Sequence, residues 1–311
     1  MAGTLYPAGA NVPHRCLVFL LLGTVVFTGQ DLPKFKADSD LVLIPVSVTD
    51  HSNRFILGLR PQDFQILEDG VAQKIASLSG EDTPLSVGLL YDRSGSMGDK
   101  RQTARQAVTQ FLKTMNTPDE AFLVDFADDA EVAQGFTTRT EELDLKLAFL
   151  QPGGLTALLD AVHLGLREMK SSRNPRKALL IVSDGGDNHS QYTAKEIQEL
   201  VREADVQIYA MGVFEPSLSL GLSNEEVSGP RLLAEIAEQT GGRAFSATEA
   251  GDLPGVATRI GIELRNQYVL AYQPINQQKD GKYRRVEVRV NPQPGLPPLK
   301  AHWRLGYYAP Q

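Results

Sequence analysis

At 311 residues the chain exceeds one average domain, and a hydrophobic content of 42% is enough for a substantial core. A formal net charge of −7 argues against a nucleic-acid partner, since phosphate binding needs a basic face. The nearest approach to a basic cluster, Lys282, Arg284 and Arg285, reads as the solvated side of a strand.

Residues 1–30 have the pattern of an export signal. His14 and Arg15 precede an apolar run over 17–27 that is too short to span a bilayer comfortably, followed by Thr28, Gly29 and Gln30. No A-x-A cleavage site follows, so removal and retention as an N-terminal anchor both fit, and a membrane enters only in the second case. The expected location is outside the cytoplasm: periplasm, cell envelope or extracellular space. Cys16 is the only cysteine and precedes the apolar run, so the mature chain would hold no disulfide.

From about 40 to 80 the pattern is one of strands. Residues 41–49 are β-rich, with Pro45 marking an edge or a bulge, and 50–54 carry polar turn chemistry. Residues 64–68 meet Asp69-Gly70, a strong hairpin signal, and 72–78 return as one strand. These are too few strands for a stable domain. Others lie at the far end of the chain: 268–272, then 284–290 with Val at every second position, then 303–308 after the Pro-rich stretch 292–298. The expected arrangement is one small β-sandwich from residues 31–81 and 267–311, with residues 82–266 inserted between its halves. Insertion is easy where the termini of the inserted domain lie close together.

Between 82 and 266 strands alternate with helices. The strands read at 86–91, 121–126, 131–134, 178–183, 206–213 and 243–246, the helices at 100–115, 140–149, 157–170, 194–204, 230–239 and 252–265. This predicts a doubly wound α/β fold of Rossmann-like type, its mainly parallel sheet covered on both faces. Right-handed crossovers bring the loops after the strands to one edge of the sheet, where open α/β sheets bind ligands. Asp92 and Asp184 both end strands at that edge.

The run Leu85-Ser86-Val87-Gly88-Leu89-Leu90-Tyr91 stops at Asp92-Arg93-Ser94-Gly95-Ser96. One carboxylate and two hydroxyls at i, i+2 and i+4 of a tight loop can converge, and oxygen donors with little negative charge suit a hard divalent cation. The same residues also suit a turn and an N-cap, so the short motif alone decides nothing. Two further segments follow at suitable places: Gly153-Gly154-Leu155-Thr156 ahead of a helix, and the buried run 179–183 ending in Asp184-Gly185.

Together these resemble the metal-ion-dependent adhesion site of von Willebrand factor type A (VWA) domains. The layout also resembles a bacterial group of related proteins abundant in Acidobacteria, in which flanking strands accompany the A domain. The resemblance implies a metal site of Asp92, Ser94, Ser96, Thr156 and Asp184, holding Mg²⁺, or Mn²⁺ or Ca²⁺. One departure is Leu155, which stands where the family commonly has Gly. The resemblance further implies a protein partner that presents an Asp or Glu to the cation.

Other polar clusters read more plainly. Asp187, Asn188 and His189 fit a loop capping the next helix better than direct ligation of the cation, and Asp125, Asp128 and Asp129 fit a solvated turn. The long connection 215–229 is a candidate for choosing the partner. Catalysis is not expected. A phosphotransferase of haloacid-dehalogenase type needs a second Asp where Ser94 stands, and Ser94 cannot act as acid or base at neutral pH. No nucleophile elbow, P-loop or dinucleotide fingerprint occurs. The expectation is an exported binding or adhesion protein. The alternatives are a structural envelope-assembly module with an idle metal site and, third, a Mg²⁺-dependent phosphotransferase.

Overall fold

A computed structural model describes residues 41–80, 83–212, 224–246, 252–292, 295 and 297–311. In chain order its strands are β1 (Val42–Thr49), β2 (Phe64–Glu68), β3 (Val71–Gln73), β4 (Ile75–Ser79), β5 (Leu85–Asp92), β6 (Glu120–Phe126), β7 (Ala130–Thr137), β8 (Arg176–Ser183), β9 (Gln207–Gly212), β10 (Ala244–Ser246), β11 (Tyr268–Tyr272), β12 (Tyr283–Val290), β13 (Lys300–Trp303) and β14 (Gly306–Tyr308). The α-helices are α1 (Arg101–Leu112), α2 (Thr140–Phe149), α3 (Leu158–Met169), α4 (Ala194–Glu203), α5 (Asn224–Gln239) and α6 (Leu253–Arg265).

The central sheet has the order β10-β9-β8-β5-β6-β7. Every pairing in it is parallel except that of β7 with β6. Strand β5 is buried at all eight positions, because helices cover both faces. Val87, Leu89 and Tyr91 pack with Phe111 of α1, Leu143 of α2 and Ile260 of α6, while Leu90 joins Val162 of α3, Ile197 of α4 and Leu233 of α5. Each such side chain, fully buried, contributes about 1.5–3 kcal/mol relative to exposure. Gly88 is required by this packing, since a Cβ there would stand 2.3 Å from a ring carbon of Phe122. The doubly wound α/β architecture is therefore present as expected.

The outer strands form two antiparallel sheets, β13-β1-β11-β4 and β14-β12-β2-β3. Their inner faces share one core: Ile44 and Val46 of β1, Leu270 and Tyr272 of β11, Ile66 of β2, and Val286 and Val288 of β12. Both ends of the chain thus build one sandwich around the α/β insertion, and Ser39–Gln311 pack as one compact unit. The Asp69-Gly70 turn takes left-handed backbone at both residues, φ 48° and 82°, as a two-residue hairpin requires.

Two strand expectations are corrected. The stretch 72–78 is not one strand but β3 and β4, which break at Lys74 and join different sheets. Likewise 303–308 divides into the end of β13 and the whole of β14. In both places the chain turns a corner of the sandwich, so continuous β-propensity crosses from one layer to the other. Of the connection 215–229, residues 215–223 lie outside the described residues, and from Asn224 onward it is helix α5 rather than loop. Pro230, expected at the start of this helix, sits inside it. Residues 1–30, read as an export signal, also lie outside the described residues. Among the described residues no helix is long and apolar enough to cross a membrane.

The pairing carries a testable consequence. Strand β1 lies between β11 and β13, and β2 between β12 and β3, so three of these four neighbours come from beyond residue 266. Residues 31–80 expressed alone should stay unfolded, since one hairpin is marginal in water. Residues 82–266 should fold. Far-UV circular dichroism with limited proteolysis decides it, and a protease-resistant 31–80 fragment would contradict the sandwich pairing.

Candidate metal centre

The site lies where β5 and β8, hydrogen-bonded neighbours, end side by side. Asp92 closes β5 and Ser183 closes β8, with Asp184 next in the chain. Asp92 is fully buried, and its two oxygens are held separately: Oδ1 accepts from the Ser94 amide at 2.8 Å, Oδ2 from the Ser183 hydroxyl at 2.6 Å. Burial pushes its carboxyl up to about 6, against the hydrogen bonds from Ser183 and Ser94, and the Asp184 charge adds to the rise.

Ser94 and Ser96 stand with their hydroxyl oxygens 3.0 Å apart. Ser94 occupies the N-cap of a 3₁₀ stretch, Gly95–Lys100, yet its side chain makes no capping hydrogen bond. Its hydroxyl is thus directed to Ser96, not consumed by the helix end. The neighbouring Arg93 points elsewhere, onto Asp125.

The second loop is fastened to the first by backbone. Gly95 donates to the Gly154 carbonyl at 3.0 Å and Gly153 to the Arg93 carbonyl at 2.9 Å. Leu155 does not disturb this junction: its amide donates to Asp128 Oδ1 at 2.8 Å while its side chain is exposed. Thr156 is buried, and its amide donates to Asn188 Oδ1 at 2.9 Å. Its carbonyl accepts from the amides of Asn188 and His189.

Asp184 is nearly buried. Its Oδ1 receives a long bond from the Gly186 amide at 3.5 Å, while its buried Oδ2 accepts no hydrogen bond at all. Among the described residues the cation paired with it is Lys100, whose ammonium stands 3.5 Å from Oδ2 as an ion pair without hydrogen-bond geometry.

These contacts correct two expectations. Asp187 does not cap the next helix. With Ser190 it receives the first amides of α3, Leu159 and Asp160, and so holds the helix that follows Thr156. The next helix, α4, is capped by its own Thr193 and Glu196. Of the expected solvated turn, Asp128 and Asp129 are exposed between β6 and β7, but Asp125 is not part of it. Asp125 is buried at the end of β6 against Arg93, and Asp128 braces the loop at Leu155. Ser183 and Lys100 carry no site signal in the sequence beyond the place of Ser183 directly before Asp184 at a strand end, and Asn188 reads there only as part of a helix-capping loop.

The residues fit a hard cation. An orphaned buried carboxylate oxygen, a second buried carboxylate and two adjacent hydroxyls are all oxygen donors. Among the described residues no group of three or more His, Cys, Asp or Glu is placed to hold a metal ion, so any cation here would rely on hydroxyls and water beside two carboxylates.

The mainly parallel α/β sheet thus carries this loop set at its C-terminal edge. Residues 87–186 match the family model of the von Willebrand factor type A domain, and the chain carries a domain of that family. Domains of this family commonly hold a divalent cation at such an edge and generally serve as non-enzymatic protein-interaction modules. A solved von Willebrand factor type A protein from Catenulispora acidiphila is 12% identical, with a TM-score of 0.52, over 88% of this chain and 75% of that one. An aerotolerance-related membrane protein from Bacteroides fragilis is 18% identical, with a TM-score of 0.48, over 58% of this chain and 98% of that one. An uncharacterized protein of Borreliella burgdorferi is 25% identical over 182 residues, 52% of this chain and 53% of that protein. The chain thus matches about half the length of this curated relative.

Proposed function

We propose that this chain is an exported binding protein that engages a protein partner through a divalent cation, Mg²⁺ or alternatively Mn²⁺ or Ca²⁺, held by Asp92, Ser94, Ser96, Thr156 and Asp184. The observation that carries it is Asp184 Oδ2, a buried carboxylate oxygen with no hydrogen bond, in a loop cluster whose other donors are hydroxyls and Asp92. Buried polar groups are almost always hydrogen-bonded, so one that has only the ion pair to Lys100 leaves room for a ligand. A cation with few carboxylates around it supplies an electrophilic point for a partner's Asp or Glu. The chain's own part is to hold the donors still: Ser183 fixes Asp92, Asn188 fixes the Thr156 backbone, and Gly95 ties the two loops together.

Catalysis finds less support. The position two residues after Asp92 is Ser94, and a cleft of about 720 Å³ lies away from the site between Leu41–Ile44 and Tyr307–Ala309. One contact through a cation says little about its bearer, so surrounding loops would set specificity. A pull-down from the native envelope fraction with the chain as bait tests the proposal. Partner capture should disappear in EDTA and return with Mg²⁺. Capture that ignores EDTA, or metal-dependent turnover of a phosphate ester lost in Asp92→Asn, would overturn it.

A further inference from the structure

Lys100 ends the 3₁₀ stretch, after a kink at Gly98 where φ is 7° and ψ −107°. Its side chain is only 17% exposed, and its ammonium lies 3.5 Å from Asp184 Oδ2, the oxygen that accepts no hydrogen bond. Lysine ordinarily keeps its head in water and buries only its stem. Here the head is withdrawn toward a carboxylate that, among the described residues, forms no other ion pair. The other cation of this loop, Arg93, is already engaged by Asp125 and the Gln151 carbonyl.

Resting on the metal-site reading above, we propose that Lys100 is a built-in counter-cation which weakens the site's hold on the metal and strengthens the loaded site's attraction for a carboxylate. The charge balance gives both effects. Asp92 and Asp184 bring two negative charges and Lys100 one positive, so the metal-free site keeps one negative charge in all. A divalent cation turns that into one positive charge, whereas without Lys100 the loaded site would be neutral. Repulsion between the ammonium and the incoming cation lowers metal affinity, and the surplus positive charge draws an anion. At separations of a few ångströms in a partly buried setting both effects are large compared with thermal energy. The same ammonium offsets Asp92–Asp184 repulsion while the metal is away, so it stabilises the metal-free fold.

The test uses the full chain and Mn²⁺ alone, with free Mn²⁺ read by electron paramagnetic resonance. In Lys100→Met the Mn²⁺ dissociation constant should fall about tenfold, a modest share of the Coulomb energy of charges this close. The melting temperature of the metal-free variant should fall, opposite in sign to its gain in metal affinity. Acetate titrated into the Mn²⁺-loaded protein, followed by water proton relaxation, should displace water at several-fold higher concentration in Lys100→Met than in wild type. Lys100→Arg, which keeps the charge, should resemble wild type in both titrations. A loosened loop would weaken Mn²⁺ binding in Lys100→Met, so equal or weaker binding there overturns the proposal while the metal site stands. Failure of the wild-type chain to bind Mn²⁺ removes the metal site and this proposal with it.

Discussion

Asp92→Ala should yield a folded protein whose melting temperature no longer rises with Mg²⁺ or Mn²⁺. A ligand that binds only the folded state raises its stability, by about 2.7 kcal/mol at a hundredfold excess over the dissociation constant, so losing the site removes a readily measured shift. Folding should survive because Asp92 lies at the end of β5, beyond the packed run of Val87, Leu89, Leu90 and Tyr91. Its charge in fact burdens the metal-free fold. Burial lifts its carboxyl from 3.8 to about 6, so keeping it ionised at neutral pH costs about 3 kcal/mol. Asp92→Asn keeps the shape and removes the charge. Without metal at pH 7.5 it should therefore melt above wild type, with the gain reduced because one amide NH₂ must face the hydroxyl of Ser183 or the amide of Ser94. Neither variant should respond to metal. Calorimetric scans with EDTA and with excess Mg²⁺ distinguish these outcomes, and a wild-type-sized metal shift in Asp92→Ala would remove Asp92 from the site.

Gly185→Ala should damage both stability and metal response. Gly185 has φ 82°, a left-handed backbone that costs an L-residue about 1–2 kcal/mol. An added Cβ would also stand 2.7 Å from the backbone of Gly229 in α5, and backbone cannot step aside as a side-chain tip can. The expected loss is roughly 2–4 kcal/mol. The site suffers as well, because Gly185 follows Asp184 directly and its amide donates to the Ser183 hydroxyl that grips Asp92. Gly229→Ala strikes the same crossing from a helical backbone, with a Cβ 2.5 Å from Gly185, so it carries the clash without the left-handed strain and should cost less. Urea melts of both variants, each with and without Mg²⁺, measure the difference. Wild-type stability and metal response in Gly185→Ala would show that this close approach constrains nothing.

Much of the fold was legible because its signals are local. A strand buried on both faces shows as a continuous apolar run, which marks β5 and β8, and Asp69-Gly70 permits little besides a tight turn. The division of 72–78 between two sheets was not legible, since β-propensity carries no record of which layer a residue enters. The candidate metal donors stood out as oxygen-bearing residues at strand ends. Their supports did not, because Ser183, Asn188, Asp128 and Lys100 act through contacts made by the fold. Asp187 and Asp125 were misplaced for the same reason: an acidic residue next to a turn gives no sign of whether it faces water, a helix end or an arginine.

The pairing of the two chain ends also sets an order of events during synthesis. Val46 of β1 takes its register from Tyr268 and Trp303, both made long after it. At ordinary elongation rates roughly 10–45 s separate Val46 from Tyr268, so β1 waits on the nascent chain without its neighbours. The α/β insertion can finish folding in that interval, whereas the sandwich closes only once β11 to β14 have been made. A message cut short after α6 would release a chain whose first strands have open, apolar edges, prone to pair with other chains and suited to capture by quality control.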